Sequence, residues 1–312
     1  MTVTDIGSEP MAAPQAAAAV ARAPTRPFLW SLRREIWENR SIYIAPAAIA
    51  GLVLAGLAIG AMRIPPAMVH FVSRLSVEKR GEILSVPFYV AAAAIMATAF
   101  VVAVFYCLGA LHGERRDRTI LFWKSMPVSD LTAVLAKATV PLLVLPLVTF
   151  ATVFLALLVL LVGSLAVFPA LGLPATFLWS AFPPVQAALD MLYFLTVSSL
   201  WYAPIWAWLL LVSGWARRVP ILWAFAPPFG LAVFELLAFD SNNVWKVLHD
   251  RFSGAVTHAY ATSMDAKGHI QVDMHQPAIA KLVESPDFWI GLVVAVVLLA
   301  AAVWQRRWRT PI

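Results

Sequence analysis

Residues 131–168 read LTAVLAKATVPLLVLPLVTFATVFLALLVLLVGSLAVF. Whether this run is one helix or two decides how the whole chain is threaded. As one helix it reaches about 57 Å, nearly twice the ~30 Å hydrocarbon core of a bilayer. As two helices it needs a tight turn inside an almost wholly apolar stretch. Two spans here would also carry the basic loop Trp215-Ala216-Arg217-Arg218 to the outer side, against the positive-inside rule. The expectation is therefore one long helix that projects beyond the membrane and bends at Pro141 and Pro146.

Five further apolar runs flank it, at about 43–62, 86–111, 186–213, 219–239 and 288–305. Hydrophobic residues make up 61% of the chain and charged residues 13%, against roughly 45–50% and 25% in soluble domains. The fold class expected is an all-α integral membrane protein with six transmembrane helices.

Charge sets the orientation. With the N-terminus in the cytoplasm, the inner segments hold Arg22, Arg26, Arg33, Arg34, Arg40, Arg115, Arg116, Arg118, Lys124, Lys137, Arg217, Arg218, Arg306, Arg307 and Arg309. The outer segments hold only Arg63, Arg74, Lys79, Arg80, Lys246, Arg251, Lys267 and Lys281, and these are balanced by nearby acids. Both termini are thus expected in the cytoplasm, with an even number of spans. Trp179, Trp215, Trp223, Trp289, Trp304 and Trp308 fall near span ends, as an aromatic belt requires.

Residues 1–27 are Ala/Pro-rich, with no Lys or Arg before Arg22. That pattern predicts a disordered cytoplasmic tail rather than a cleaved signal peptide, and makes the first span its own insertion signal. Residues 28–312 form one transmembrane domain.

Ahead of the first span, Phe28, Leu29, Leu32 and Ile36 share one helical face, with Arg34, Glu35 and Glu38 opposite. This predicts an interfacial amphipathic helix on membrane lipid, including Arg33 and Trp37. In the fifth run, Pro227-Pro228 removes two backbone donors and predicts a kink or break. Lys137, Asp190 and Glu235 sit near span ends, where snorkelling or end-capping is expected. Gly56-Leu-Ala-Ile-Gly60 and Gly109-Ala-Leu-His-Gly113 match a small-residue helix-packing pattern.

The external segment 240–287 is polar, with a short helix expected over Asn243 to Phe252. His258, His269 and His275 lie there with Asp265 and Asp273. Their spacing fits no standard ligand set, so solvated loop histidines and no metal site are expected. The single cysteine, Cys107, is read as a small apolar residue in the second run.

Between the second and third runs lies His112-Gly-Glu-Arg-Arg-Asp-Arg-Thr-Ile-Leu-Phe-Trp-Lys-Ser-Met-Pro-Val-Ser-Asp130. A solvated loop has no use for Ile120, Leu121, Phe122, Trp123 and Met126 among seven charges. A loop that docks on another protein does, because aromatic anchors ringed by Arg are typical of binding surfaces. A short helix held on lipid headgroups is the other reading of this spacing. Pro127 ends the short helix, and Ser129 or Asp130 can cap the next.

No glycine is followed by lysine, so the chain carries no Gly-x-x-x-x-Gly-Lys-[Ser/Thr] phosphate cradle of its own. It also lacks His-Glu-x-x-His and Gly-x-Ser-x-Gly. No enzymatic activity, bound cofactor or nucleic-acid partner is expected.

Glu114-Arg115, Arg118-Thr119-Ile120-Leu121, Met126-Pro127-Val128-Ser129 and Lys137, together with the order of elements, resemble the permease subunit of ABC-2 type ABC transporters. In that family a Glu-Arg pair is followed by Gly-Thr and a Leu-rich stretch; here Arg118 stands where glycine is usual, after an Arg115-Arg116 pair. The resemblance implies an ABC-2 (type V exporter-like) architecture, with a coupling helix in 112–130 that docks on a separate ATP-binding subunit. It implies a second permease chain, ATP and Mg on the partner ATPase, and a bacterial inner membrane location. The residues it assigns to the ATPase contact are Arg115, Arg116, Asp117, Arg118, Phe122, Trp123, Lys124 and Pro127, with Glu114 and Thr119 capping or bracing the short helix. The cargo would be exported, and lipophilic or amphipathic. The alternative is a non-transporting scaffold or assembly factor for an envelope or respiratory complex; a lipid-modifying membrane enzyme would have only the external histidines to work with.

Overall fold

The structure, a computed structural model, describes residues 26–119, 128–170, 174, 184–264 and 270–308. The tail expected over 1–27 and the centre of the loop at 120–127 therefore lie almost wholly outside the described residues.

In chain order the helices are α1 (Pro27–Glu38), α2 (Ser41–Ala61), α3 (Pro66–Arg74), α4 (Val77–Arg116) and α5 (Asp130–Thr139). A π-helical turn, Val140–Val144, joins α5 to α6 (Leu145–Ala170). Then come α7 (Pro184–Trp201), α8 (Ala203–Trp215), α9 (Pro220–Phe239) and α10 (Asn243–Ala259). Strands β1 (Tyr260–Met264) and β2 (Ile270–Pro277), and helices α11 (Ile279–Glu284) and α12 (Pro286–Trp308), complete the chain.

Among the described residues five helices are long and apolar enough to cross a membrane, and α7 with α8 meets the same test as a bent pair, giving six when that pair is counted as one span. This is a multi-pass helical membrane protein. Its outer surface is apolar: Leu237 is 81% exposed, Phe239 70% and Leu52 69%. In water such a surface would cost about 25 cal/mol for every Å²; against lipid tails it costs nothing.

The long third helix holds as one element, 41 residues from Asp130 to Ala170, or about 61 Å. Two of its prolines, Pro141 and Pro146, are absorbed rather than broken upon. Pro146 cannot donate to the Leu142 carbonyl, and the Ser199 hydroxyl of α7 donates there instead. The π turn bonds the Leu145 N–H back to the Val140 carbonyl, a local adjustment that re-satisfies freed backbone groups.

The break expected at Pro227-Pro228 is corrected, and a bend falls where none was expected. The fourth span is not one straight helix. It bends by 48° at Tyr202, where Pro204 lacks the N–H that would bond to Leu200. The fifth span, by contrast, runs unbroken through Pro227-Pro228. The Ala224 carbonyl that Pro228 cannot serve accepts the Trp208 indole N–H at 3.0 Å.

The core sits around α8, where eight of thirteen residues are buried. α8 packs along α12 on one side and α4 on the other, and α2 closes α4 together with α6. Cys107 is buried in this core beside Tyr106 and Leu210, as an apolar residue. The paired glycines do not act as contacts within the chain: a Cβ at Gly56, Gly60, Gly109 or Gly113 would meet nothing within 4 Å.

The expected short helix at Asn243 instead continues to Ala259 as α10, followed by an antiparallel ribbon with Ala261 opposite Asp273 and Met264 opposite Ile270. The ribbon is a small departure from an all-α chain. Glu235 caps the start of α10, accepting from the Ser241 hydroxyl and the Asn243 and Val244 N–H groups at 2.7, 3.0 and 2.7 Å. α10 lies across the bend in the fourth span. Trp201 is 1% exposed, its indole donates to the Arg251 carbonyl, and the His258 ring stacks on it at 4.5 Å. Arg251 repays the bend, donating to the Trp201 carbonyl at 3.3 Å, which no longer receives the Ile205 N–H. Only glycine fits at 254, since a Cβ there would stand 2.8 Å from the Trp201 ring.

Candidate functional site: an ion cluster at the basic end

The C-terminal ends of α4, α8 and α12, the start of α5 and all of α1 meet at one end of the bundle. They are held by charge. Glu114, near the last turn of α4, is 8% exposed. Its carboxylate takes Arg34 of α1 at 2.9 Å and Lys137 of α5 at 3.1 Å, and pairs with Arg306 of α12. Lys137 reaches on to Glu35 at 2.7 Å, and Glu35 accepts the Tyr106 hydroxyl at 2.9 Å. Arg306 reaches on to Asp130 at 3.0 Å. One carboxylate thus ties four helices, and a second ties three.

Burying charges costs several kcal/mol each unless they are paired and hydrogen-bonded. Here Glu35 and Glu114 each face three donors, Asp130 faces Arg306, and the three bases Arg34, Lys137 and Arg306 meet the three acids. Such a cluster contributes more to a defined arrangement of helices than to bulk stability.

α8 joins through a different chemistry. Its Ser213 hydroxyl accepts the N–H groups of Leu111 and His112 at 3.0 and 2.9 Å and donates to the Leu108 carbonyl at 2.9 Å. Arg115 turns inward, 6% exposed, and donates to the Gly214 carbonyl at 2.7 Å. It therefore holds the open carbonyls at the C-terminus of α8. Its guanidinium thus packs within the bundle.

The remaining loop residues divide. Arg116 and Asp117 form an exposed ion pair at 2.9 Å, whose hydrogen bond holds the Asp117 carboxyl below its ordinary range. Arg118 has φ 57, the left-handed region that glycine takes without cost. Thr119 donates to the Glu114 carbonyl at 3.4 Å. Ser129 caps α5, accepting the Thr132 N–H at 3.1 Å. Phe122, Trp123, Lys124 and Pro127 lie outside the described residues.

Other expectations are revised. Lys137 does not snorkel; it is 2% exposed. Glu35 points into the bundle, with Phe28, Leu32 and Ile36 half-buried beside it, while Arg33 and Trp37 face out. The helix is amphipathic with a buried salt bridge on its inner face, a pattern that hydrophobic periodicity alone reads backwards. At the far end, His258 is part of the Trp201 stack rather than a solvated loop residue. Among the described residues no cluster of three or more His, Cys, Asp or Glu side chains could hold a metal.

No family model, curated protein or solved structure matches this chain.

Proposed function

We propose that the chain is the membrane-spanning permease subunit of an ATP-driven ABC-2 type exporter. It has no catalysis of its own and works beside a second permease chain and a separate ATPase that binds ATP and Mg. Both termini are cytoplasmic, in a bacterial inner membrane, and the cargo is lipophilic or amphipathic.

The observation that carries this reading is the Glu114 cluster. The segment 117–129 leaves α4 three residues after Glu114 and enters α5 at Asp130, itself a member of the cluster. A force applied to that segment enters α1, α4, α5 and α12 at once, and through Arg115 and Ser213 also α8. Charge clusters with discrete pairings are bistable rather than continuously deformable, which suits a two-state machine driven from outside the membrane. The exposed Arg116–Asp117 pair and the aromatic residues that follow in sequence would form the docking surface.

The test is affinity purification of the tagged full-length chain from its own membranes. A P-loop ATPase subunit is expected in near-stoichiometric amount, with hydrolysis stimulated by the permease. Arg116→Glu combined with Trp123→Ala should lower both by about tenfold or more while leaving the melting temperature of the chain unchanged. Retention of ATPase binding and stimulated hydrolysis in that variant sinks the coupling assignment.

A further inference from the structure

α1 carries a second surface, opposite the one that enters the ion cluster. Arg26 at its N-cap, Trp30, Arg33 and Trp37 recur at intervals of four, three and four, so they line one face. Arg40 follows in the link to α2. All five are exposed, Trp30 by 64% and Trp37 by 62%. The Arg33 guanidinium lies over both indoles, 4.3 Å from the Trp37 ring and 5.7 Å from that of Trp30. No acid answers these arginines among the described residues: Glu35 is buried against Lys137, and Glu38 pairs with Arg34.

The position of the stripe identifies what covers it. α1 packs on α5 at the level of Glu114 and Arg306, where the apolar spans α4 and α12 end. Trp304 and Trp308 of α12 are exposed at the same level. Tryptophan collects at lipid headgroups, where its ring is buried and its N–H stays wet. Three guanidiniums, one between the two rings and one beyond each, present bidentate donors to phosphate, and stacking on both indoles keeps Arg33 fixed and partly dehydrated. With no carboxylate beside them, they favour a headgroup that carries net negative charge over a zwitterion whose own ammonium would be repelled.

We propose that the Arg26-Trp30-Arg33-Trp37-Arg40 stripe is a seat for anionic phospholipid headgroups, which fixes the depth and rotation of α1 and so the setting of the cluster on its inner face. This rests only on the chain crossing a membrane and stands apart from the exporter reading.

The experiment uses the full-length chain, purified in neutral detergent doped with equal amounts of phosphatidylcholine and phosphatidylglycerol. The ratio of the two lipids retained through size exclusion is the readout. Wild type should be enriched in phosphatidylglycerol, each stripe arginine contributing about fivefold to its affinity, so Arg26→Gln, Arg33→Gln and Arg40→Gln together should lower that affinity on the order of a hundredfold. The corresponding triple lysine variant should keep most of the enrichment. Raising salt from ~0.05 to ~0.5 M should shrink the wild-type enrichment, a comparison that holds even if the glutamine variant does not fold. Equal retention of both lipids by wild type, enrichment indifferent to salt, or a folded glutamine variant with the wild-type ratio each overturn the proposal; the first would assign the stripe to an acidic protein surface instead.

Discussion

Glu114→Gln keeps the size of the side chain and removes its charge from the centre of the cluster. Arg34 and Lys137 stand 2.9 and 3.1 Å from that carboxylate, and Arg306 holds its other oxygen. At an effective dielectric of about 20, a unit pair at about 3 Å gains roughly 5 kcal/mol. Three such attractions are reduced by the repulsion of Glu35 and by the desolvation that the native carboxylate no longer suffers. The net cost should be about 3–5 kcal/mol, as when one partner of a buried pair is removed. The sign of a second substitution is more informative than this magnitude. Arg34, Lys137 and Arg306 balance Glu35, Glu114 and Asp130, so Glu114→Gln leaves one positive charge in excess. Arg306→Gln alone leaves one negative charge. The double variant is neutral again and should be more stable than Glu114→Gln by itself, with a coupling energy of about 2 kcal/mol or more. Reversible unfolding in mixed micelles, followed by tryptophan fluorescence, gives all four corners of the cycle. Additivity within about 0.5 kcal/mol would show that the two side chains do not act as one unit and would refute the cluster as a coupled device.

Arg118→Gly should melt higher than Arg118→Ala, because only glycine relieves a left-handed residue, by about 1 kcal/mol; equal melting points would remove the strain argument. Trp208→Phe should cost about 1–3 kcal/mol by stranding the Ala224 carbonyl. Trp206→Phe should cost less, since the buried Trp206 indole N–H has no partner among the described residues; the reverse order in thermal melts would count against proline rescue across helices. Burial, aided by Lys281, holds the His258 imidazole below its ordinary pKa. Its neutral form therefore stabilises the seat of α10 fully above about pH 6.5, and that contribution is lost as pH falls from there through the lowered folded value. Amide exchange over residues 243–259, corrected for intrinsic rate, should be faster at about pH 5.5 than at about pH 7.5, and His258→Phe should abolish the difference.

The length of the third helix was legible because a bilayer sets a hard upper limit on what a single span needs, and no turn chemistry interrupts 131–168. The break expected at Pro227-Pro228 does not occur, and the bend falls instead at Pro204, for which no expectation was made. A proline breaks a helix only if its freed carbonyl goes unserved, and the donors here come from distant sequence: Trp208 rescues Pro228, and Ser199 rescues Pro146. Among the described residues no donor from a neighbouring helix serves the Leu200 carbonyl that Pro204 frees, and the span bends. Glu114 was picked out by its place beside Arg115, but its partners Arg34 and Arg306 lie 80 and 192 residues away. Charge pairing at such separations leaves no periodic trace. For the same reason Glu35 reads as part of the polar face of α1: a carboxylate that is buried because Lys137 meets it looks, along the sequence, like one that belongs in water. α10 was read too short because Ser253 and Gly254 are poor helix formers, whereas the structure needs that glycine to admit Trp201.

The bend at Tyr202 leaves α8 with 13 residues, about 20 Å of rise. At one end of it lie Arg115 and Ser213, and at the other the Trp201 carbonyl held by Arg251. The perimeter helices are longer, α9 alone rising about 30 Å over its 20 residues. The most deeply buried helix thus runs only about 20 Å between its two polar ends, about two thirds of the ~30 Å hydrocarbon thickness that lipid presents outside, and no residue of α8 lies more than about 10 Å along the axis from one of those ends.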